Sequence, residues 1–225
     1  MTFSLAARCL RTGQFAAAVT SSSPAVAARC AFARAGVGAA TTQNITDPRL
    51  GPLALDFLAR GMSAAEACAA TMAQAPYPDY RQITLIGSSG QGAQHSGQKT
   101  LGLHAWAPGA DCVSAGNLLA NTNVPAAVVR AFEATSQADE LGTRVIAALQ
   151  AGLEAGGEAG PLKSAGLILT GDAAWPIADL RVDWHEAPLA ELASLWALWQ
   201  PQMQDYVTRA LNPASAPAYG VPGDL

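Results

Sequence analysis

Thr2 follows the initiator methionine directly, and that position gives a common residue type an uncommon chemical option. A side chain this small permits removal of Met1, which leaves a hydroxyl and a free α-amine on one residue. The hydroxyl alone is a poor nucleophile, but an α-amine titrates at about 7.7–8.0, close enough to neutrality to act as its base. Nucleophile and base then come as a unit suited to acyl transfer from an amide. Met-Thr is also an ordinary trimmed chain start, so the pattern by itself leaves both readings open.

Other chemistries find no anchor. Gly36-Val37-Gly38 lacks the third glycine of a dinucleotide fingerprint, and Gly87-Ser88-Ser89-Gly90-Gln91-Gly92 joins two strand-like runs instead of opening a helix. There is no Gly-Lys-Ser/Thr, HExxH or GxSxG, so P-loop, zincin and α/β-hydrolase mechanisms are not indicated. His95, His104, Asp111 and Cys112 match no familiar metal cage, and neither a metal nor a cofactor is expected. Asp179, Arg181, Asp183 and His185 alternate with Leu180, Val182 and Trp184, which reads as a solvated strand face in preference to a catalytic Asp-His pair. Cys9, Cys30, Cys68 and Cys112 are scattered without a CxxC pair, which favours a reducing cytoplasm over a disulfide framework.

Composition narrows the class. Of 225 residues 50% are hydrophobic and 13% charged, enough for one substantial core. Thirteen Lys and Arg against seventeen Asp and Glu give a net charge of -4, which offers no uniform basic field for nucleic acid. No apolar run approaches the roughly 20 residues needed to cross a bilayer. The stretch before Asp47 contains Arg8, Arg11, Arg29 and Arg34 and no acid, which imitates a targeting peptide. Its apolar runs are short and broken by Ser21-Ser22-Ser23-Pro24, so strands from the first residues are expected instead.

The elements that must position Thr2 follow from periodicity and turn residues. Phe3–Leu10 and Phe15–Thr20 flank Arg11-Thr12-Gly13-Gln14 as a hairpin, and Ala25–Ala33 and Val37–Gln43 are expected to continue the same buried antiparallel sheet. Leu50 to Leu58 repeats at helical spacing and stops at Gly61, and Ser63 with Glu66 is a capping box for a second helix. Gln82–Ile86 and Gly92–Ser96 form another hairpin, with shorter strands at Leu101–Trp106 and Cys112–Ala115. Helices follow from Pro125 and over Asp139–Leu153, then strands at Ser164–Leu169 and Ile177–Trp184. A helix over Leu189–Trp199, stopped by Pro201, and a further segment through Leu211 complete the body. Residues 1–211 are expected as a single domain and 212–225 as an extended Pro/Gly-rich arm, either disordered or held through Tyr219, Val221 and Leu225 as apolar anchors on its own body or a neighbouring subunit.

The opening Met1-Thr2-Phe3-Ser4, the run Ala33 to Ala39 with Thr41-Thr42-Gln43, and Pro48-Arg49-Leu50-Gly51-Pro52 resemble an uncharacterised bacterial family, domain-of-unknown-function family 1028. Arg81-Gln82, His95-Ser96-Gly97, Gly116-Asn117-Leu118-Leu119, Ser164-Ala165 and Asp179 to Asp183 extend the resemblance over nearly the whole chain. The resemblance implies membership of the N-terminal nucleophile (Ntn) hydrolase superfamily. It therefore implies an α+β fold, a four-layer αββα sandwich of two mainly antiparallel sheets between helical layers, and amide-bond hydrolysis.

On that resemblance Thr2 matches the nucleophile. Asn117 is the oxyanion candidate, with Gly116 permitting close approach and Ser22 and Gln43 as further substrate or oxyanion residues. Arg34 matches a basic residue that favours a neutral α-amine, against a structural ion pair as its plainer role. Ser22 stands roughly where such enzymes place an acid, and His95 is the candidate to replace it, against an ordinary core or loop histidine. The implied protein is a cytoplasmic amidohydrolase acting on a small amide, N-acyl amino compound or peptide through an acyl-enzyme on Thr2, and a homo-oligomer without nucleic-acid or membrane partners. The competing reading is an Ntn-fold ligand-binding or assembly protein, with Trp196, Trp199, Met203 and Tyr206 forming an interface or simply core.

Overall fold

The computed structural model describes residues 1–223. Its strands, numbered in chain order, are β1 (Thr2–Arg8), β2 (Phe15–Ser21), β3 (Ala31–Arg34), β4 (Gly38–Asn44), β5 (Arg81–Gly87), β6 (Gly92–Ser96), β7 (Ala105–Gly109), β8 (Cys112–Asn117), β9 (Ser164–Thr170) and β10 (Pro176–Val182). The helices are α1 (Ala27–Cys30), α2 (Leu50–Ala59), α3 (Ala64–Gln74), α4 (Val124–Ala134), α5 (Leu141–Glu154), α6 (Pro188–Trp199) and α7 (Met203–Leu211). The strands form two antiparallel sheets, ordered β10-β9-β2-β1-β8-β7 and β3-β4-β5-β6. This is the α+β class with antiparallel sheets expected from sequence.

The opening strands divide differently from expectation. β1 and β2 form the hairpin, but β3 and β4 belong to the second sheet, not to a continuation of the first. Ala25–Ala33 is not one strand. Ala25 takes a left-handed turn (φ 50°), and Arg29 Nη1 donates to the carbonyls of Pro24 and Ala25 at 2.7 and 2.9 Å, closing the short α1 before β3 begins. That turn carries the chain from one sheet to the other. Residues 101–104, also expected to be extended strand, precede β7 without joining a sheet.

Side-chain size explains the layering. Ala6, Ala17, Val19, Ala31, Ala39, Ile86 and Val113 fill the space between the two sheets, and these mostly short side chains let the sheets approach. A Cβ on Gly166 would overlap that of Ala27, so the backbone is close there as well. On its other face the larger sheet presents Phe3, Leu5, Leu167 and Leu169 to α4, α5 and α6. The smaller sheet turns Ala40, Ile83 and Leu85 toward α2 and α3. A row of hydroxyls crosses the interior, Ser4 Oγ to Thr41 Oγ1 at 3.0 Å and Thr41 Oγ1 to Thr84 Oγ1 at 2.7 Å. Buried polar groups therefore satisfy one another where the strands' inner faces are not apolar.

The local signals are realised where they are strongest. Ser63 and Glu66 form the full capping box of α3, and Gly61 takes a positive φ of 86° in the turn before it. Trp196 is buried with its Nε1 donating to Thr143 Oγ1 (2.8 Å), Met203 is buried as well, and Trp199 stacks on Tyr206 at 4.9 Å. That cluster closes against the body of its own chain. Beyond α7 the arm folds back, with Tyr219 against the Arg209 guanidinium (3.9 Å) and Arg209 Nη2 donating to the carbonyls of Pro217 and Ala218. Val221 is exposed, and Leu225 lies outside the described residues. Among the described residues no helix is long and apolar enough to cross a membrane.

Candidate functional site

Thr2 begins a central strand of the larger sheet, between β2 and β8. Along β1 alternate side chains part: Phe3 and Leu5 enter the helix-covered core, while Ser4 reaches Thr41 of the opposite sheet. Thr2 therefore faces the space between the sheets, where it is 6% exposed. It pairs directly with Asn117 of β8, and its Oγ1 lies 3.3 Å from Ser21 Oγ of β2. Both hydroxyls donate to the carbonyl oxygen of Met1.

Two polar networks extend from this point. One is a chain of hydroxyls: Ser21 Oγ meets Ser23 Oγ at 2.8 Å, and Ser23 Oγ accepts from Arg29 Nη2 at 2.8 Å. The other is a buried set of amides linking the sheets. Asn117 Nδ2 and Gln43 Nε2 both donate to Gln82 Oε1, at 3.1 and 2.8 Å, and Gln43 Nε2 also reaches the Ala115 carbonyl at 3.1 Å. Gln82 Nε2 donates in turn to the Gly116 carbonyl (3.1 Å) and Ser96 Oγ (3.0 Å), so both ends of the Gln82 amide are engaged. Gln43, Gln82 and Asn117 are each no more than 1% exposed. Leu118, immediately after Asn117, holds φ at 50°, an unfavourable region for a leucine that turns the chain sharply away from β8.

A buried acid completes the neighbourhood. Glu158 is 5% exposed, its Oε2 accepts the Ser22 backbone N–H at 3.1 Å, and its Oε1 is buried without a partner. Burial pushes its carboxyl up to about 7, opposed by the nearby N-terminal ammonium and by the bond from Ser22. The chain reaches this position through Gly156 and Gly157, both at positive φ, and the backbone pairing of Leu119 with Glu158.

The structure thus assembles Thr2, Asn117, Gly116 and Gln43 at one end of the inter-sheet space, with Ser22 present through its backbone N–H. Gly116 has a different use from the one expected. A Cβ there would meet Leu119 and Phe3 on the helix-covered side, so its missing side chain serves packing. Arg34 and His95 are not brought to Thr2. Thr41 and Gln43 mark the end of β4 nearest Thr2, whereas Arg34 pairs with Gly38 at the other end and holds Asp56 in an exposed ion pair of 2.9 Å. His95 shares its face of the smaller sheet with its pair Ile83, toward α3, and its Nε2 lies 3.0 Å from the Pro78 carbonyl. Its neighbour Ser96 is the residue that turns inward to Gln82.

Ser21, Ser23, Arg29, Gln82 and Glu158 are not among the site residues expected from sequence, although Arg81-Gln82 is one of the pairs that carry the resemblance. The serine run read only as a strand breaker, and Glu158 belongs to a glycine-flanked loop without periodicity. Nothing local indicated that either faces the chain's first residue.

The model of the family of unknown function DUF1028 matches residues 2–192. No curated protein matches the chain. Among solved structures, protein SPO2555 from Silicibacter pomeroyi, titled with the same family, is similar at a TM-score of 0.83 and 24% identity over 91% of this chain and 89% of its own. That likeness shows a shared fold. Anbu (ancestral beta-subunit) from Yersinia bercovieri superposes at a TM-score of 0.43 and 12% identity, covering 91% of this chain and 97% of its own.

Proposed function

The chain belongs to the DUF1028 family, whose function is unknown, and from that premise we propose that Thr2, once Met1 is removed, is the nucleophile of an amide hydrolase of the Ntn type. The two sheets between helical layers are then the αββα sandwich of such enzymes. The observation that carries this reading is the placement of Thr2 at the start of a central strand, facing the inter-sheet space between Ser21 and Asn117.

In this mechanism the freed α-amine accepts the Oγ1 proton as Oγ1 attacks the carbonyl carbon of the scissile amide. Ser21 Oγ already donates to a carbonyl oxygen at this position, that of Met1, and it supplies one donor to the developing oxyanion. Asn117 supplies the second through the Nδ2 hydrogen not used by Gln82. The protonated amine then releases its proton to the departing amine, leaving an ester on Thr2 that water hydrolyses. Arg29, acting through Ser23 and Ser21, orients the hydroxyls as a positioning residue. Arg34 and His95 take no part.

Intact mass of the protein expressed without an N-terminal tag, followed by hydrolysis of a panel of aminoacyl and N-acyl p-nitroanilides, tests the reading. Met1 is expected to be absent, and Thr2→Ala to lose activity by about a thousand-fold or more while Thr2→Ser retains part of it. Quantitative retention of Met1, or equal turnover by Thr2→Ala, refutes the nucleophile and leaves the non-catalytic binding reading.

A further inference from the structure

Met1 occupies the place that the acyl half of a substrate must occupy. In the uncut chain the Met1 acyl carbon is bonded to Thr2 N, and in an acyl-enzyme the acyl carbon is bonded to Thr2 Oγ1. The two atoms belong to the same residue and bridge through a five-membered tetrahedral arrangement, so the attached acyl groups share one pocket. Three features of that pocket are visible around Met1. Its carbonyl oxygen is held by Ser21 Oγ. Its side-chain end runs over Gly160, where an added Cβ would stand 3.2 Å from Met1 Cε. Glu158 accepts the N–H of Ser22, next to Ser21, and keeps its other oxygen, Oε1, buried without a partner; the Met1 ammonium is near enough to favour its charged form without forming an ion pair with it.

A carboxylate 95% removed from solvent with one oxygen unengaged is costly unless a cation meets it. Among the described residues the ion pairs leave Glu158 out: Lys163 pairs with Glu186, and Arg29 is committed to Ser23, Pro24 and Ala25. We infer that this pocket is an acyl subsite for groups carrying a free α-ammonium, with Glu158 as the ammonium receptor and Gly160 giving room for a methionine-sized apolar side chain. The substrate class is then aminoacyl amides or peptides with a free N-terminus, a choice within the amide hydrolase proposed above that rests on that reading. The transfer balances: Thr2 Oγ1 bonds to the aminoacyl carbon, the C–N bond breaks, the Oγ1 proton leaves with the amine by way of the Thr2 α-amine, and water releases the amino acid.

The test uses the full chain with Met1 removed, confirmed by mass. Hydrolysis of L-methionine p-nitroanilide is compared with that of N-acetyl-L-methionine p-nitroanilide, in wild type and Glu158→Gln. Calorimetric binding of L-methioninamide and N-acetyl-L-methioninamide is measured in parallel on Thr2→Ala, with and without Glu158→Gln. The free amine is expected to be favoured about ten-fold or more in both kcat/KM and affinity, and Glu158→Gln to bring both ratios near one. Gly160→Val is expected to weaken methionyl ligands relative to glycyl ones while keeping the ammonium preference, a pattern that misfolding does not produce. A ratio at or below one in wild type overturns the inference, as does a Glu158→Gln loss equal for free and acetylated compounds, which would mean that Glu158 serves only the Thr2 amine. Failure of both amides to bind overturns it too. Discrimination in binding without Thr2-dependent turnover keeps the subsite and removes the nucleophile, whereas turnover without discrimination does the reverse.

Discussion

Replacing Glu158 by glutamine is expected to flatten the pH dependence of folding stability. A carboxyl raised from 4.5 to about 7 binds its proton more tightly in the folded chain than in the unfolded one. The contribution of Glu158 to stability is therefore most favourable below about pH 4.5, falls as pH rises toward 7, and carries the full penalty above that. At about 1.4 kcal/mol per pH unit the gap corresponds to roughly 3 kcal/mol, and some solvent relaxation around the carboxylate brings the expectation to about 2–3 kcal/mol. Glutamine is neutral throughout and lacks this decline. Its own amide group carries a constant cost where Oε1 had no partner, so the telling quantity is the change in the difference between the two proteins, not its absolute size. Urea unfolding at pH 5.0 and 8.0 on both proteins, with Met1 status matched, supplies that quantity. A difference that moves by less than about 0.5 kcal/mol between the two pH values would refute the account of a desolvated, incompletely paired acid.

Gln82→Leu removes an amide whose oxygen accepts two bonds and whose nitrogen donates two, so Asn117 Nδ2 loses its side-chain partner and Gln43, Ser96 and the Gly116 carbonyl lose one bond each. A loss of about 2–4 kcal/mol is expected in chemical denaturation, well beyond that of an exposed substitution. Arg34→Ala breaks only a half-exposed ion pair with Asp56, and is expected to change stability by under about 1 kcal/mol and any Thr2-dependent hydrolysis by less than two-fold, checked by the same unfolding and p-nitroanilide assays.

The parts of this protein written in single stretches of chain could be read there. The Ser63–Glu66 capping box, the turn at Gly61, the hairpins β1–β2 and β5–β6 and the helix opening at Pro125 each depend on residues a few positions apart, and each formed where expected. Asn117 was legible through resemblance, but its reason was not, since its register opposite Thr2 is a pairing between residues 115 apart. The strands around the site explain the difficulty. Thr2 to Ala7 and Phe15 to Ser21 are buried on both faces; Thr2-Phe3-Ser4-Leu5 alternates polar with apolar but Ala16, Ala17, Ala18 and Val19 do not, and with both faces covered neither pattern says which side chains face the other sheet.

For the same reason sequence alone assigns β3 and β4 to the first sheet: the strand pattern is visible in their residues, and the partner is not. His95 and Arg34 were drawn to Thr2 by resemblance and were placed elsewhere by the pleat and by strand direction, which send His95 to the outer face and Arg34 to the far end of β4's pairing. Glu158 shows the limit most clearly. Sequence supplies an acid in a glycine-flanked loop, and only the packing of that loop against the end of β2 removes its water, engages one oxygen with the Ser22 N–H and leaves the other unpaired. Elements follow from short-range sterics and hydrogen bonding. The site follows from contacts whose free energy exists only when distant segments are already together.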